Sequence, residues 1–296
     1  MKRIAWIISP PTKGSGGFRT ICSKAAYLDS HGFENYFYIM PGCEAYKSAR
    51  RVQAEIKDWF DYSPKDVLVA TSVPEDFFAV FATAWNTARF ASRQKCAHKF
   101  YFIQDFEPWF YPMGEMYLKA EATYRYELNP ITIGRWLSKK VEPFYSHEVP
   151  YCDFGVSDLY AVQEQNLNRE YAVCAIYQSN KDRRLSGMLF DAIKLLLKLD
   201  DKVVVYLYGE DATLPIRNPR VHCLGILTAE ECASLYARCV AGVSLSVTNP
   251  SRLPFEMLVL GSRGLGDVYK RQILLSRLPA ALLLLLLRFF LHQSAI

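Results

Sequence analysis

Four stretches of the chain carry side chains that could do chemistry on a charged or hydroxylated ligand. The run Phe102-Ile103-Gln104-Asp105-Phe106-Glu107-Pro108-Trp109-Phe110-Tyr111-Pro112 sets two carboxylates two positions apart and follows them with rings. Carboxylates accept hydrogen bonds from sugar hydroxyls, and aromatic faces suit the apolar faces of pyranose rings. Asp105 and Glu107 are therefore candidate catalytic groups, with Trp109 and Tyr111 as candidate acceptor contacts. The plainer alternative is a surface loop with packed aromatics. In Gln178-Ser179-Asn180-Lys181-Asp182-Arg183-Arg184, Gln178, Lys181, Arg183 and Arg184 are candidate donor-binding groups. Cations there would neutralise a diphosphate leaving group, and a helix N-terminus would add its own partial charge. The alternative is a solvated basic turn.

The third stretch, Thr248-Asn249-Pro250-Ser251-Arg252, leads into Pro254-Phe255-Glu256. Ser251 and Arg252 are further donor-side candidates. Glu256 either complements a helix macrodipole or accepts both hydroxyls of a nucleotide's ribose. The fourth is Gly14-Ser15-Gly16-Gly17, a loop whose backbone N–H groups could approach a phosphate or an acceptor; a tight turn is the alternative. As a dinucleotide fingerprint it fails. The third glycine would fall at Arg19, and the next strand ends in Met40-Pro41-Gly42 rather than an acidic ribose ligand.

Each stretch falls where a strand gives way to a helix, and in open parallel sheets ligands gather at the carboxyl ends of strands. Ile4 to Ile8 reads as the first strand, followed by a helix whose apolar positions Phe18, Ile21, Cys22, Ala25 and Leu28 recur at helical steps. Strands follow at Tyr36 to Met40, Asp66 to Ala70 and His98 to Ile103, with a helix expected from Glu75 to Phe90 and another from Glu115 to Leu128. The pattern restarts at Tyr171 to Tyr177. A strongly amphipathic helix follows from Leu185 to Leu199, then strands at Val203 to Tyr208, Val221 to Leu224 and Val240 to Val247. Thr228 and Glu231 have capping-box spacing ahead of a further helix. The expected class is α/β, with two Rossmann-like domains, 1–165 and 166–261, whose parallel sheets face a cleft.

Bulk properties agree with an ordinary globular protein. The 296 residues are 51% hydrophobic and 22% charged, with a formal net charge of +5. That charge suits anionic ligands, but no basic run or basic-aromatic stripe argues for nucleic acid. None of the eight cysteines forms a C-x-x-C pair, as expected of free thiols in a reducing compartment. The apolar stretch after Met1-Lys2-Arg3 is too short for a signal-peptide core. A cytoplasmic location is expected.

Gln104 to Pro112, Glu121-Ala122-Thr123-Tyr124-Arg125, Tyr177 to Arg184 and Asn249 to Met257 together resemble glycosyltransferase family 4, in its rhamnosyltransferase-type branch of surface-glycan assembly. The likeness covers roughly residues 1 to 261. It implies a GT-B fold and metal-independent, retaining transfer of a hexose such as L-rhamnose from a nucleotide donor such as dTDP-rhamnose. The implied acceptor is a glycan or lipid-linked glycan, with peripheral membrane contact and no cofactor. By position, Glu256 is similar to the family's ribose-binding glutamate, Lys181, Arg183 and Arg184 to its diphosphate cations, and Asp105 and Glu107 to the branch's acceptor-side motif. Thr248 stands where many members carry a second glutamate. A non-catalytic carbohydrate-binding protein and a nucleotide-sugar epimerase on the same scaffold are the rival readings.

After Gly261 the alternation stops, and Leu282 to Leu287 form a leucine run interrupted by Arg288. Gly264 to Gln272 resembles an adapter-derived run. Segment 262–296 is therefore expected to be non-native or disordered, the donor domain incomplete, and the chain as it stands poorly stable or inactive.

Overall fold

The structure is a computed structural model and describes residues 1–40, 48–156, 158–161, 169–211, 216–249, 251–260 and 263–266. It divides into two compact units, Met1–Asp153 and Phe154–Ile296. The division falls earlier in the chain than the expected boundary at residue 165. A short helix beyond it, Asp158–Ala161, already belongs to the second unit. Its Tyr160 is buried and stacks on Tyr236.

The first unit runs β1 (Lys2–Ile8), α1 (Gly16–Asp29), β2 (Phe33–Ile39), α2 (Ala49–Phe60), β3 (Asp66–Val69), β4 (Ala79–Ala82), α3 (Trp85–Ser92), β5 (His98–Ile103), α4 (Glu115–Ala122), β6 (Asn129–Ile133), α5 (Arg135–Val141) and β7 (Tyr151–Cys152). The seven strands form a parallel sheet in the order β3-β2-β1-β4-β5-β6-β7. β4 corrects the helix expected from Glu75 to Phe90, of which only Trp85 to Phe90 is helical. A strand between two neighbours with both faces covered is apolar throughout and loses its alternation, so its period cannot be told from that of a buried helix. Val80 goes into the core on one face. On the other, Phe81 stacks between Trp6 at 4.5 Å and Phe100 at 4.8 Å, its register partners on β1 and β5. The helix expected to reach Leu128 stops at Ala122 and tightens into a 3₁₀ turn over Thr123–Arg125. There the Thr123 hydroxyl donates to the Ala120 carbonyl at 2.6 Å, drawing the backbone out of regular helix.

In the second unit the Asp158–Ala161 helix is α6. It is followed by β8 (Glu170–Ile176), α7 (Ser186–Leu199), β9 (Val204–Tyr208), β10 (Val221–Cys223), α8 (Ala229–Arg238), β11 (Cys239–Ser244), α9 (Leu253–Val259) and β12 (Arg263–Gly266). The sheet is again parallel, in the order β10-β9-β8-β11-β12. The capping box forms as its spacing predicts: Thr228 Oγ1 accepts the Glu231 N–H at 3.2 Å, and Glu231 accepts the Thr228 N–H at 2.7 Å. β12 corrects the expectation that nothing after Gly261 continues the sheet, since residues 263–266 pair with β11 from Ala241 to Ser244. Strand pairing is a backbone interaction and does not need the apolar alternation by which strands are recognised in sequence. The leucine run and the rest of the expected non-native tail lie outside the described residues.

Two contacts seat the helix that carries Glu256. Gly242 on β11 lies under Met257, so close that a Cβ there would come within 2.4 Å of the Met257 sulfur. Arg169 donates to the carbonyls of Tyr236 at 3.1 Å, Cys239 at 3.0 Å and also Leu260, tying the ends of α8 and α9 to the start of β11. The described cysteines are free, and burial pushes the Cys22 thiol up to about 12. No helix among the described residues is long and apolar enough to cross a membrane.

Gly242→Ala is expected to cost about 1–3 kcal/mol, the usual penalty for overpacking a filled core. Gly16→Ala, where a Cβ would meet nothing within 4 Å, is the control. Urea unfolding of the two variants checks this.

Candidate active site

Each sheet contains one pair of neighbouring strands from which the chain departs in opposite directions. In the first unit these are β1 and β4, with β2 and β3 on one side and β5 to β7 on the other. Loops leaving such a pair part from each other and open a crevice at the strands' carboxyl ends, where ligands of open α/β sheets bind. The glycine loop follows β1. Gly14 has φ +75°, a conformation that glycine adopts without the steric cost met by other residues. Ser15 then caps α1, its hydroxyl accepting the Phe18 N–H at 3.2 Å. A Cβ on Gly17 would lie 3.5 Å from the Gln104 side chain, so the first turn of α1 rests against the end of β5. Thr83 and Asn86 close the other side: Thr83 Oγ1 donates to the Ile7 carbonyl at 2.7 Å, and Asn86 Nδ2 donates to Ser9 at 3.1 Å. The glycine loop and the start of the carboxylate-aromatic run therefore meet at one crevice.

Asp105 and Glu107 are both buried. Asp105 Oδ1 accepts the Phe106 N–H at 2.8 Å. Glu107 Oε2 accepts the Trp85 N–H at 2.5 Å and the Tyr101 hydroxyl at 2.9 Å, while the Glu107 N–H donates to the Tyr124 hydroxyl at 3.2 Å. Trp85 opens α3, so the Glu107 carboxylate sits at that helix's positive end. Burial, and then the Glu107 charge, raises the Tyr101 hydroxyl well above its ordinary value and keeps it a donor. Trp109 packs edge-on to Phe106 at 5.2 Å and beside Trp136 at 6.0 Å, with Lys140 Nζ 4.4 Å over its ring. The Tyr111 hydroxyl accepts the Trp85 indole N–H at 3.0 Å. Trp85, Tyr101 and Tyr124 hold this arrangement; only Tyr124 lies in a stretch that carries the family resemblance, and no role is expected of it there. Trp85 follows the unrecognised strand, and nothing in the spacing links the two tyrosines to Glu107.

In the second unit the parting strands are β8 and β11. The loops after them carry the two donor-side stretches, and the fold joins them directly: the Val247 N–H donates to the Arg183 carbonyl at 3.1 Å, and Arg184 Nη1 donates to the Leu245 carbonyl at 3.4 Å. Arg184 is buried against the loop that follows β11. Lys181 is pushed down to about 8, first by burial and then by the charges of Arg183 and Arg184, with Glu210 opposing. Glu210 is a residue the sequence reading missed. It follows β9, and its carboxylate accepts the Ser179 N–H and, at 2.5 Å, the Ser179 hydroxyl. This approach needs Gly209, whose φ is +109° and whose Cβ would lie 3.1 Å from the Tyr177 carbonyl. A glycine closing a strand was the available signal.

Gln178 lends its backbone carbonyl to the Lys181 N–H at 3.2 Å and to the Ser186 hydroxyl at 3.3 Å. Glu256 is buried, with Arg252 Nε 3.3 Å from its Oε1. Ser251 has φ +67°, and its N–H donates to Asn249 Oδ1 at 3.4 Å. Thr248 is fully buried and bonds Ser246 through both its N–H and its hydroxyl. The arrangement thus gathers cations at one strand-to-helix turn, with a buried carboxylate in the first turn of the helix that follows the adjoining loop.

Two Rossmann-like parallel sheets define the GT-B class of fold, and solved structures of that class match most of the chain. The structure of Anabaena HepE with UDP and glucose is similar with a TM-score of 0.60 and 13% identity, covering 89% of this chain and 80% of that one. Staphylococcus aureus TarM, solved with UDP and two saccharide ligands, gives a TM-score of 0.60 at 8% identity over 90% and 85%. The family is more specific. Residues 42–135 match the WsaF N-terminal domain and residues 172–287 the WsaF C-terminal domain, together more than half of the chain, which belongs to the WsaF family. The O-antigen biosynthesis protein RfbC of Myxococcus xanthus is 28% identical over 187 residues, 61% of this chain; the match spans 15% of that longer protein.

Glu107→Ala is expected to destabilise the first unit by about 1–3 kcal/mol, because two buried donors lose their acceptor. Glu107→Gln, which keeps an oxygen in place, should cost less. Thermal melting of the pair checks the ordering.

Proposed function

We propose that the chain is a nucleotide-sugar-dependent glycosyltransferase of glycan assembly, with the donor in the second unit and the acceptor in the first. The observation that carries this is the joining of the Lys181–Arg184 turn to the Thr248–Glu256 loop at the carboxyl ends of β8 and β11. A nucleoside diphosphate needs those two features: positive charge for the phosphates and an acceptor for the ribose hydroxyls. The UDP bound by HepE and TarM on the same fold supports the assignment.

In this reading Lys181 and Arg183 stabilise the negative charge that develops on the departing diphosphate, and the N-terminus of α7 adds to the field. Arg184 shapes the crevice by holding the Leu245 carbonyl. Glu256 accepts the ribose hydroxyls, and Arg252 fixes its orientation. In the first unit Asp105, Trp109 and Tyr111 receive the acceptor saccharide, while Glu107 acts through α3 as a positioning residue. The resemblance to the rhamnosyltransferase branch makes L-rhamnose from dTDP-rhamnose, moved with retention to a glycan or lipid-linked glycan in the cytoplasm, the finer proposal.

The test is incubation with UDP- and dTDP-hexoses, with and without an oligosaccharide acceptor, followed by mass analysis. Transfer, or slow donor hydrolysis, is expected. Neither from any donor, in a chain whose melting temperature UDP or dTDP raises, would sink the transferase reading. Epimerised sugar from the donor alone would select the epimerase, and glycan binding without nucleotide affinity the binding protein. Glu256→Ala is expected to lose the thermal stabilisation that UDP or dTDP gives the intact chain.

Lys181 provides a pH test. A lysine lowered to about 8 is charged below that pH and neutral above it. Nucleotide diphosphate affinity should be full below pH 8 and fall roughly tenfold as pH rises beyond it, the scale of one hydrogen bond to a charged group. Proton uptake should accompany binding in that window. Lys181→Arg, which stays charged, should abolish the break; calorimetry at several pH values reads both.

A further inference from the structure

The first unit holds a cavity of about 790 Å³ that the reading above does not use. It lies between α3 and the Thr71–Glu75 segment that follows β3, a size suited to a small ligand. Asn86, Arg89 and Arg93 fall at helical spacing along the side of α3 that lines it. Lys95 is the third cation, and Glu75 the one carboxylate among its lining residues. Glu75 pairs with Lys95 at 2.9 Å. Neither Arg89 nor Arg93 has an ion-pair partner among the described residues, so of the three lining cations only Lys95 is paired there with a carboxylate. Their charge is that of side chains, since the N-terminus of α3 is already taken by Glu107.

The cavity has a fixed wall. Gln94 Oε1 accepts the Val73 N–H at 2.8 Å while its Nε2 donates to the Phe90 carbonyl at 2.8 Å, stapling the 71–75 segment to α3. It also adjoins the β1/β4 crevice. Asn86 lines the cavity and bonds Ser9 at the end of β1, one residue after the Trp85 N–H that reaches Glu107.

We propose that this cavity binds the phosphate of a phosphorylated saccharide, as the anionic part of the acceptor. Paired guanidinium forks match phosphate oxygens in charge and geometry, while Asn86 and Ser72 supply neutral polar groups for the sugar. The inference rests on the acceptor assignment to the first unit, but not on the donor chemistry of the second. A phosphate within a glycan and the diphosphate of a prenyl-linked saccharide present the same chemistry here.

The experiment titrates the full chain with glucose 1-phosphate under saturating UDP, which occupies the donor turn. Arg89→Ala/Arg93→Ala is expected to weaken binding about tenfold or more and to leave UDP affinity unchanged. Methyl glucoside should not bind. Prenyl-diphosphate-linked glucose shows whether the lipid adds to the shared phosphate term, and it should weaken in the same variant. Unchanged glucose 1-phosphate binding in the variant overturns the proposal, and so does methyl glucuronide binding as tightly as glucose 1-phosphate. Both arginines are exposed, so the melting temperature should hold; if the double variant does not fold, Arg93→Gln alone carries the test. Loss of glucose 1-phosphate binding in a protein that never turns over a nucleotide-sugar would uphold the cavity and remove the transferase reading. Normal turnover with unaffected glucose 1-phosphate binding would do the reverse.

Discussion

Burying a charge is tolerated only where other groups replace the water it loses. Among the described residues four charged side chains are buried: Asp105, Glu107, Arg184 and Glu256. All four sit beyond the carboxyl ends of strands or in the first turn of the helix that follows, and each is held by neighbours brought there by the topology. Glu107 is met by a helix N-terminus and a tyrosine, Arg184 by the Leu245 carbonyl, Glu256 by Arg252. Asp105 takes the N–H of the residue after it. The other buried side chains among the described residues are apolar or neutral. Among the described residues, ionisable side chains are thus buried only at the carboxyl ends of the two sheets, where a polar ligand would also be received.

Those same four residues were picked out from the sequence, and the reason is physical. A strand that ends in a polar or charged turn before a helix is visible as an abrupt break in an apolar run, and Gln104-Asp105, Lys181-Asp182-Arg183-Arg184 and Thr248-Asn249 are such breaks. The roles were less legible than the positions. Glu107 looks from the sequence like a partner of Asp105 in chemistry, yet its oxygen holds α3 in place. Arg184 looks like a twin of Arg183, yet it is buried against the neighbouring loop. Adjacent residues in a tight 3₁₀ turn point in different directions, and spacing alone cannot say which faces inward.

The fold was legible wherever one face of an element meets solvent. Helices α1, α7 and α8 announce themselves through their periodicity, and the Thr228–Glu231 cap marks its own helix start. The losses fall where that contrast vanishes. β4 is covered on both faces, β12 pairs without a recognisable apolar pattern, and Glu210 reaches Ser179 only because Gly209 turns the backbone. Such features belong to tertiary pairing, which a single sequence does not display.

The placement of β4 beside β1 also bears on how the chain is assembled. Of the strands in this sheet β1 is the earliest, and β2 can pair along one edge of it soon after, with β3 then adding to β2. The other edge of β1 stays bare until residues 79–82 have been synthesised, and Trp6 waits as long for the ring of Phe81. β8 is in the same position with respect to β11. In both sheets the second edge of the earliest strand is thus covered only by a strand made later, which makes the nascent forms open-edged and dependent on long-range pairing.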